Sequence, residues 1–170
     1  MTRAVLSIGS NLGDRLARLR SVVDGLGDTV VAVSRAYETA PWGGVEQAPF
    51  LNAVVLADDP SVGARDWLKR GQELEQAADR MRSQRWGPRT LDVDVVACYH
   101  GGAEITLAEP DFVLPHPLAH LRAFVLAPWL DIEPAAELTV AGVARPVAHL
   151  LAGLDAADRA SVAATQLELR

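Results

Sequence analysis

Residues 50–78, FLNAVVLADDPSVGARDWLKRGQELEQAA, decide the fold, because they predict a strand, a turn and an amphipathic helix in direct succession. Residues 50–57 form the predicted strand, whose alternate side chains, including Phe50 and Asn52, share one face. A turn follows, and Ser61 is a candidate N-cap for the helix. The helix carries an apolar stripe of the kind that packs against a sheet. Glu75 lies within that stripe, where a carboxylate needs a partner.

Segments of the same kinds flank this stretch on both sides. Upstream, residues 4–8 and residues 30–37 predict two strands. Between them, leucines and valines at helical spacing over residues 12–26 predict a helix, with Asn11 as its N-cap. Downstream, residues 91–99 predict another strand. The order strand–helix–strand–strand–helix–strand is the split βαβ pattern of ferredoxin-like α+β folds, so we expect an antiparallel sheet covered by helices.

The last third of the chain gives weaker signals. Residues 118–132 predict a mostly helical segment that is interrupted near Pro128. A short strand over residues 138–143 and a short helix over residues 147–151 follow. Residues 155–170 are rich in alanine, and we expect this tail to be loosely held. The length of 170 residues is near the usual size of one domain, so we expect a single domain.

Composition and charge narrow the function classes. The net charge of −6 has the wrong sign for a general nucleic-acid binder or a protein of anionic membrane surfaces. No apolar stretch reaches the length of a membrane span. The single cysteine, Cys98, permits neither an internal disulfide nor a cysteine-based zinc site. We expect a cytoplasmic monomer that binds neither nucleic acid nor membrane, and that holds any anionic ligand with a local cluster of cations.

The most informative segment is RWGPRTLDVDVV, residues 85–96. Asp92 and Asp94 are two residues apart on a predicted strand, so both carboxylates point to one face. Such a pair repels itself unless a cation lies between, and Mg²⁺ binds one or two carboxylates together with phosphate oxygens. The pair therefore predicts a magnesium anchor for a nucleotide. Spacing alone leaves a second interpretation open, which is two solvated acids on an exposed strand face.

Four arginines precede this pair. They are Arg80, Arg82, Arg85 and Arg89, and no acidic residue separates them. A run of like charges is usually a solvated loop. Here the run leads directly into the carboxylate pair, and a polyphosphate needs both a metal ion and guanidinium groups. The segment therefore favours a triphosphate site.

RWGPRTLDVDVV closely resembles the signature of the hydroxymethyl-dihydropterin pyrophosphokinases. Five further runs agree with that family in order and spacing: SIGSNLGDR (7–15), YETAPWG (37–43), FLNAVV (50–55), LPHP (114–117) and RAFVLAPW (122–129). The resemblance covers residues 1–134, and the tail after Pro134 matches less distinctively. It implies a transfer of the β,γ-diphosphate of ATP to the hydroxymethyl group of 6-hydroxymethyl-7,8-dihydropterin, in folate biosynthesis. AMP would leave, and two Mg²⁺ ions would be needed.

The resemblance also implies a role for individual residues. Asp92 and Asp94 would bind the metal, and Arg80 and Arg82 would act in a flexible catalytic loop. No dedicated general base is evident, and an aspartate near the metal could accept the hydroxyl proton. The residues implied to bind ATP are Glu75, Arg85, Trp86, Arg89, His116 and Arg122. The residues implied to bind the pterin are Thr39, Pro41, Trp42, Phe50, Asn52, Asp92 and Phe124.

Three positions depart from the family pattern. Phe50 stands where tyrosine is common, Trp42 where leucine is usual, and Asp79 where glycine is common. Phe50 keeps the ring face that stacking on a pterin requires. None of the three changes removes a catalytic residue type.

Two other functions remain open on the sequence alone. A ferredoxin-like binding or regulatory module would not need the aspartate pair and the arginine run together. A different magnesium-dependent enzyme, such as a nucleotidyl or phosphoryl transferase or a nuclease, would typically present a third carboxylate in line and no aromatic clamp. Formation of AMP from ATP only when the pterin is present distinguishes the three.

Overall fold

The computed structural model describes residues 2–40, 48–79 and 91–170. Its strands, in chain order, are β1 (Thr2–Ser10), β2 (Val30–Val33), β3 (Tyr37–Thr39), β4 (Phe50–Asp59), β5 (Asp92–His100), β6 (Ala103–Glu104), β7 (Leu107–Glu109), β8 (Phe112–Leu114), β9 (Glu137–Val140), β10 (Val143–Pro146) and β11 (Val162–Ala164). Its helices are α1 (Arg15–Leu26), α2 (Ala64–Asp79), α3 (Ala123–Ile132), α4 (Val147–Ala152) and α5 (Ala156–Ala160). Within these ranges, no helix combines the length and the apolar character needed to cross a membrane.

Seven of the strands form one antiparallel sheet in the order β11-β3-β4-β1-β5-β6, and β2 pairs with β4 on the same side as β3. β1 is central, because it pairs with β4 on one side and with β5 on the other. The four predicted strands of the sequence thus lie side by side in the order second, third, first, fourth. That order is the split βαβ arrangement, so the predicted α+β fold is confirmed.

Helices cover both faces of the sheet, since its strands are apolar on both faces. α1 and α2 pack on the first face, against a cluster that includes Leu6 and Trp67. α3 and α4 pack on the second face, against a cluster that includes Val5 and Trp129. Toward the other end of β1, β4 and β5, the second face carries small and polar side chains instead, and these form the floor of a cavity.

The N-cap of α1 is Asp14, so the prediction of Asn11 was wrong. The Asp14 carboxylate accepts a hydrogen bond of 3.0 Å from the backbone N–H of Ala17. Gly13, with φ of 66°, turns the chain just before the helix, a conformation that favours glycine. Asparagine and aspartate cap helices about equally well, so the position of this turn decides between them. Asn11 is buried instead.

Ser61 does not cap α2, which begins three residues later at Ala64. The Ser61 hydroxyl and backbone N–H both donate to the Asp59 carboxylate, so Ser61 belongs to the turn after β4. Asp66, in the first turn of the helix, accepts a hydrogen bond of 2.8 Å from the backbone N–H of Gly63. The start of α2 is therefore fixed from inside the helix.

Residues 30–37 form two short strands, where the sequence predicts one. β2 ends at Val33, β3 begins at Tyr37, and Ser34 lies in the break. The Ser34 side chain accepts a hydrogen bond of 2.9 Å from the backbone N–H of Val54, so it replaces a backbone oxygen of the ladder. Both short strands still pair with β4, which keeps them in the sheet.

Residues 123–146 hold two further differences from prediction. α3 continues through Pro128 without interruption, because buried neighbours such as Leu126 and Trp129 hold it on the sheet. The strand predicted at residues 138–143 is a hairpin of β9 and β10. Ala141 and Gly142 form its turn, both with positive φ, as a two-residue hairpin turn of the primed type requires.

The C-terminal tail is held against the fold, contrary to the expectation for residues 155–170. β11 adds a strand to the sheet beside β3. Leu169 is only 4% exposed and belongs to the core under α1. The Arg20 guanidinium donates to the carbonyl of Glu168 at 2.9 Å, and the Arg170 guanidinium donates to the carbonyl of Val30 at the same distance. These contacts are long range, and alanine-rich composition does not reveal them.

Candidate active site

The floor of the cavity is a row of residues that face one another across β4, β1 and β5. Asn52 pairs with Gly9, and Gly9 pairs with Asp92. In the next row toward α3, Ser7 pairs with Asp94. Alternation along each strand therefore places an amide and two carboxylates on the same face of the sheet.

A register shift keeps this floor separate from the apolar part of the same face. Leu6 pairs with Val95 and Val5 pairs with Ala97, so β5 carries one extra residue, Val96, at this point. Val96 and Ala97 both join the cluster under α3. The shift lies beyond Asp94, and the alternation of the two aspartates is unaffected.

The cavity above this floor has a volume of about 610 Å³. Strands of the sheet, the start of α3 and the C-terminal segment around α5 and β11 form its walls. The lining residues are Ser7, Gly9, Thr39, Ala40, Phe50, Asn52, Asp92, Asp94, Leu118, Leu121, Arg122, Ala123, Phe124, Asp158, Ser161 and Val162.

The Asn52 amide has a fixed orientation in the cavity. The Thr39 hydroxyl donates a hydrogen bond of 2.8 Å to Oδ1 of Asn52, and both residues are buried. The amide nitrogen therefore lies over Gly9, where a Cβ atom would come within 2.5 Å of Nδ2. A side chain at position 9 would displace the amide. The site therefore presents the Nδ2 group as a hydrogen-bond donor at a defined place.

Arg122 places a positive charge in the cavity next to the aspartate pair. Nη1 of Arg122 lies 3.9 Å from Oδ2 of Asp94, and its guanidinium lies over the ring of Phe124 at 5.6 Å from the ring centroid. Arg122 is the residue just before α3, so the helix start holds both the cation and the aromatic ring at the cavity. Carboxylate, guanidinium and aromatic groups thus occupy neighbouring positions.

The aspartate pair fits a magnesium ion by its chemistry. Asp92 and Asp94 offer only oxygen atoms, which Mg²⁺ prefers, and both are partly exposed in the cavity. In the described ranges, no group of three or more His, Cys, Asp or Glu side chains could hold a metal ion. A site with two protein carboxylates leaves further coordination positions for phosphate oxygens and water, as Mg²⁺ with a nucleotide requires.

His116 lies close to this charged side, although it does not line the cavity. Burial lowers the pKa of His116 below its usual value; the charge of Asp94 opposes this shift and the charge of Arg122 adds to it. Nδ1 of His116 accepts a hydrogen bond of 3.1 Å from the backbone N–H of Leu118. Both the burial and this hydrogen bond favour the neutral imidazole, which positions the turn that precedes Arg122.

Glu75 lies at the opposite side of β5 from the cavity floor. Its Oε1 accepts a hydrogen bond of 2.8 Å from the backbone N–H of Val93, between the two aspartates. The Val93 N–H is thus a hydrogen-bond partner of the kind that the Glu75 carboxylate needs on its apolar stripe. Glu75 is not among the residues that line the cavity, so a direct role in binding ATP stays a prediction.

The structure brings together most of the predicted site residues that it describes. Thr39, Phe50, Asn52, Asp92, Asp94, Arg122 and Phe124 all line the one cavity. Seven predicted residues lie outside the described residues: Pro41, Trp42, Arg80, Arg82, Arg85, Trp86 and Arg89. Their roles stay predictions.

Sequence reasoning missed several lining residues. Ser7 and Gly9 alternate along β1, so their shared face was predictable, but their neighbours across the sheet were not. Asp158, Ser161 and Val162 come from the tail, more than a hundred residues from Phe50 in sequence. No local pattern signals that contribution.

Comparisons with known proteins identify the family of the chain as a whole. The family model described as 7,8-dihydro-6-hydroxymethylpterin-pyrophosphokinase (HPPK) matches residues 5–134. A Mycobacterium tuberculosis (strain ATCC 25618 / H37Rv) protein named 2-amino-4-hydroxy-6-hydroxymethyldihydropteridine pyrophosphokinase is 64% identical over 167 residues, which cover 95% of this chain and 89% of that protein. A Bacillus subtilis (strain 168) protein of the same name is 38% identical over 133 residues, which cover 76% of this chain and 77% of that protein.

Among solved structures, wild-type Plasmodium falciparum HPPK-DHPS with SDX-DHP is similar in fold. The TM-score is 0.62 at 12% sequence identity, and the match covers 89% of this chain and 44% of that longer chain. At this identity the likeness concerns the fold alone.

Proposed function

Because the chain belongs to the 7,8-dihydro-6-hydroxymethylpterin-pyrophosphokinase family and transfers the β,γ-diphosphate of ATP to 6-hydroxymethyl-7,8-dihydropterin in folate biosynthesis, we propose that this transfer takes place in the cavity over β1, β4 and β5. ATP is the co-substrate, and enzymes of this family use Mg²⁺. One observation carries the proposal: Asn52 and Asp92 face each other across Gly9. The side chain proposed to bind the pterin and a side chain proposed to bind the metal thus lie on the same cavity floor.

The carboxylate end of the cavity is assigned to the triphosphate. Asp92 and Asp94 would hold magnesium, and we assign them two ions because the triphosphate has oxygens on both sides of the bond that breaks. Bound Mg²⁺ supplies charge neutralisation for those oxygens. The Arg122 guanidinium, near Asp94, is placed to contact phosphate oxygens as well.

The amide end of the cavity is assigned to the pterin. Phe50 and Phe124 both line the cavity and offer ring faces to a flat bicyclic ligand. The Asn52 Nδ2 group, oriented by Thr39, donates to an acceptor at the edge of the ring. In this arrangement the hydroxymethyl group points toward Asp92.

The protein then contributes to the transfer mainly by positioning the two reactants, and it forms no covalent intermediate. The hydroxymethyl oxygen attacks the β-phosphorus of ATP, and the bond from that phosphorus to the α,β-bridging oxygen breaks, so AMP leaves. Asp92, which lies closer to Asn52 than Asp94 does in the sheet, accepts the hydroxyl proton. Holding both reactants in one cavity supplies much of the rate enhancement in such reactions.

The proposal also includes residues outside the described ranges. Those that would bind the phosphates or ATP are Arg80, Arg82, Arg85, Trp86 and Arg89, and those that would bind the pterin are Pro41 and Trp42. α2 ends at Asp79 and β5 begins at Asp92, so the four arginines come between two elements of the described fold. Arg89 precedes Asp92 by three residues. This closeness in sequence to the carboxylate pair supports a role at the phosphates.

An assay with ATP, Mg²⁺ and the reduced pterin tests the proposal. We expect AMP to form only when the pterin is present, and Asp92→Ala and Asp94→Ala each to lower turnover by about 10²-fold or more, because charge at the transferred group loses its counter-ions. Asp24→Asn is the matched control, since it removes one exposed carboxylate from the outer surface of α1. Near-normal turnover of either alanine variant at saturating Mg²⁺ would contradict the metal assignment, and ADP as product would contradict the reaction at this site.

We also propose that residues 1–170 act as one domain, as a cytoplasmic monomer that binds no nucleic acid. The acidic net charge supports the last point. Cys98 is buried, and its pKa is raised to about 12 by that burial, which suits a packed core thiol.

A further inference from the structure

Ser7 brings to the cavity floor a hydroxyl group that no step of the transfer uses. It lines the cavity and is only 5% exposed. Alternation along β1 places it on the same face as Gly9, one row closer to α3. Its neighbours across the sheet are Asp94 in β5 and Val54 in β4. A polar side chain therefore lies between an apolar residue and a proposed metal ligand.

The fold gives this hydroxyl no partner. Among the residues that the structure describes, none forms a hydrogen bond with the Ser7 side chain, although buried polar side chains usually have one. Other buried hydroxyl groups of the sheet are satisfied. Ser34 accepts a hydrogen bond from the backbone of Val54, and Thr39 donates one to Asn52. The Ser7 hydroxyl is therefore available to a group at the cavity.

The register of the sheet directs Ser7 toward β5. The backbone N–H and C=O of Val54 both bond to Ser34, on the far side of β4 from β1. In an antiparallel sheet, Ser7 then turns its own N–H and C=O to Asp94, its partner on the other side. Side chains that face each other across such a pair have Cβ atoms roughly 5 Å apart. A serine hydroxyl and an aspartate carboxylate span this gap with a hydrogen bond.

Asp94 needs a hydrogen-bond donor of this kind. Among the described residues, its carboxylate has an ion pair with Arg122 at 3.9 Å and no hydrogen bond. In the proposed function, Arg122 contacts phosphate oxygens and one oxygen of Asp94 binds Mg²⁺. The other oxygen then requires a donor, because carboxylates that bind a metal are themselves held by hydrogen bonds.

We propose that the Ser7 hydroxyl donates a hydrogen bond to the Asp94 carboxylate when Mg²⁺ and ATP are bound. Ser7 is thus a positioning residue of the metal site, which acts through Asp94 and touches neither substrate. The bond limits the orientations that the carboxylate can adopt, so less order is lost when the metal binds. This inference rests on the proposed function, because it takes Asp94 as a metal ligand.

The test measures how strongly Mg²⁺ promotes the binding of a non-hydrolysable ATP analogue to the full chain. Calorimetry gives the ratio of the Kd without Mg²⁺ to the Kd with it. We expect Ser7→Ala to lower this ratio about tenfold, as loss of a hydrogen-bonding neighbour of a metal ligand typically does, and to leave the Kd without Mg²⁺ unchanged. Ser7→Thr keeps the hydroxyl and should keep the ratio. Ser21→Ala, whose hydroxyl bonds within α1, is the control and should change neither constant.

A double-mutant cycle distinguishes action through Asp94 from a merely structural role. Asp94→Ala alone should lower the ratio, as the proposed function requires. If Ser7 acts through Asp94, adding Ser7→Ala to that variant should have little further effect. An equal effect of Ser7→Ala with and without Asp94, or an unchanged ratio in Ser7→Ala, would overturn this inference and leave the metal assignment standing. An unchanged ratio in Asp94→Ala would instead contradict the metal assignment, and this inference with it.

Discussion

Gly9 leaves open the space that the Asn52 amide nitrogen occupies. A Cβ atom at position 9 would lie 2.5 Å from Nδ2, closer than such atoms approach in proteins, and Thr39 holds the other side of the amide. We therefore expect Gly9→Ala to rotate the amide away from its donor position. Loss of that hydrogen bond to a ligand should weaken pterin binding by about tenfold and ATP binding by less.

Titration of the two ligands in turn, by calorimetry, checks this prediction. Gly63→Ala is the control, because a Cβ atom there meets only the Asp66 carboxylate, at an ordinary 3.7 Å. A Gly9→Ala variant that binds the pterin as tightly as the original chain would show that the amide does not contact the ligand.

The turn between β4 and α2 provides a prediction at the scale of an element. The side chain and backbone of Ser61, and then Arg70, hold the pKa of Asp59 down to about 2. The ionised form is thus favoured in the fold, so this contribution to stability is complete above the ordinary value near 4 and is lost as the pH falls through about 2. NMR titration of the Asp59 carboxyl carbon measures the midpoint directly.

We expect Ser61→Ala to move that midpoint upward, because two of the three stabilising contacts come from Ser61 and its hydroxyl provides the largest. Ser21→Ala is a suitable comparison, since its hydroxyl donates to Arg18 within α1 and has no contact with Asp59. An unchanged midpoint in Ser61→Ala would mean that the backbone N–H of residue 61 and Arg70 hold the pKa of Asp59 down without the hydroxyl.

Elements with a local pattern were predictable from the sequence, and elements with distant partners were not. The alternation in β4, the stripe in α2 and the shared face of Asp92 and Asp94 all follow from periods of two or about 3.6 residues, and the structure confirms them. The break at Ser34 depends on a side-chain bond to Val54, which no period reveals. β11 is three residues long and has no period to detect.

At the scale of the whole molecule, the tail couples the core under α1 to the wall of the cavity. Leu169 is buried, whereas Leu167 is 41% exposed two residues earlier. We expect Leu169→Ala to lower the free energy of unfolding by about 2 kcal/mol and Leu167→Ala by less than about 0.5 kcal/mol, because only the first leaves a space in the core.

Urea unfolding of both variants measures the difference in the free energy of unfolding. Pterin binding shows whether the loss of core packing also affects the cavity. Since residues 155–164 lie between this anchor and the cavity, Leu169→Ala should also weaken pterin binding more than ATP binding. Equal stability of the two variants would indicate that the tail contributes little to the fold.

The pairing of β1 with β4 and β5, and of β11 with β3, also bears on when activity arises during synthesis. The two ends of the chain both belong to one sheet, so its contacts join residues far apart in sequence, and sheets of this kind fold slowly. A nascent chain can pair β1, β4 and β5 before residues 162–164 leave the ribosome, but the pterin end of the cavity is not closed until they do. With the pterin and the phosphates bound as proposed, we therefore expect catalytic competence to be acquired last, after the phosphate end has formed.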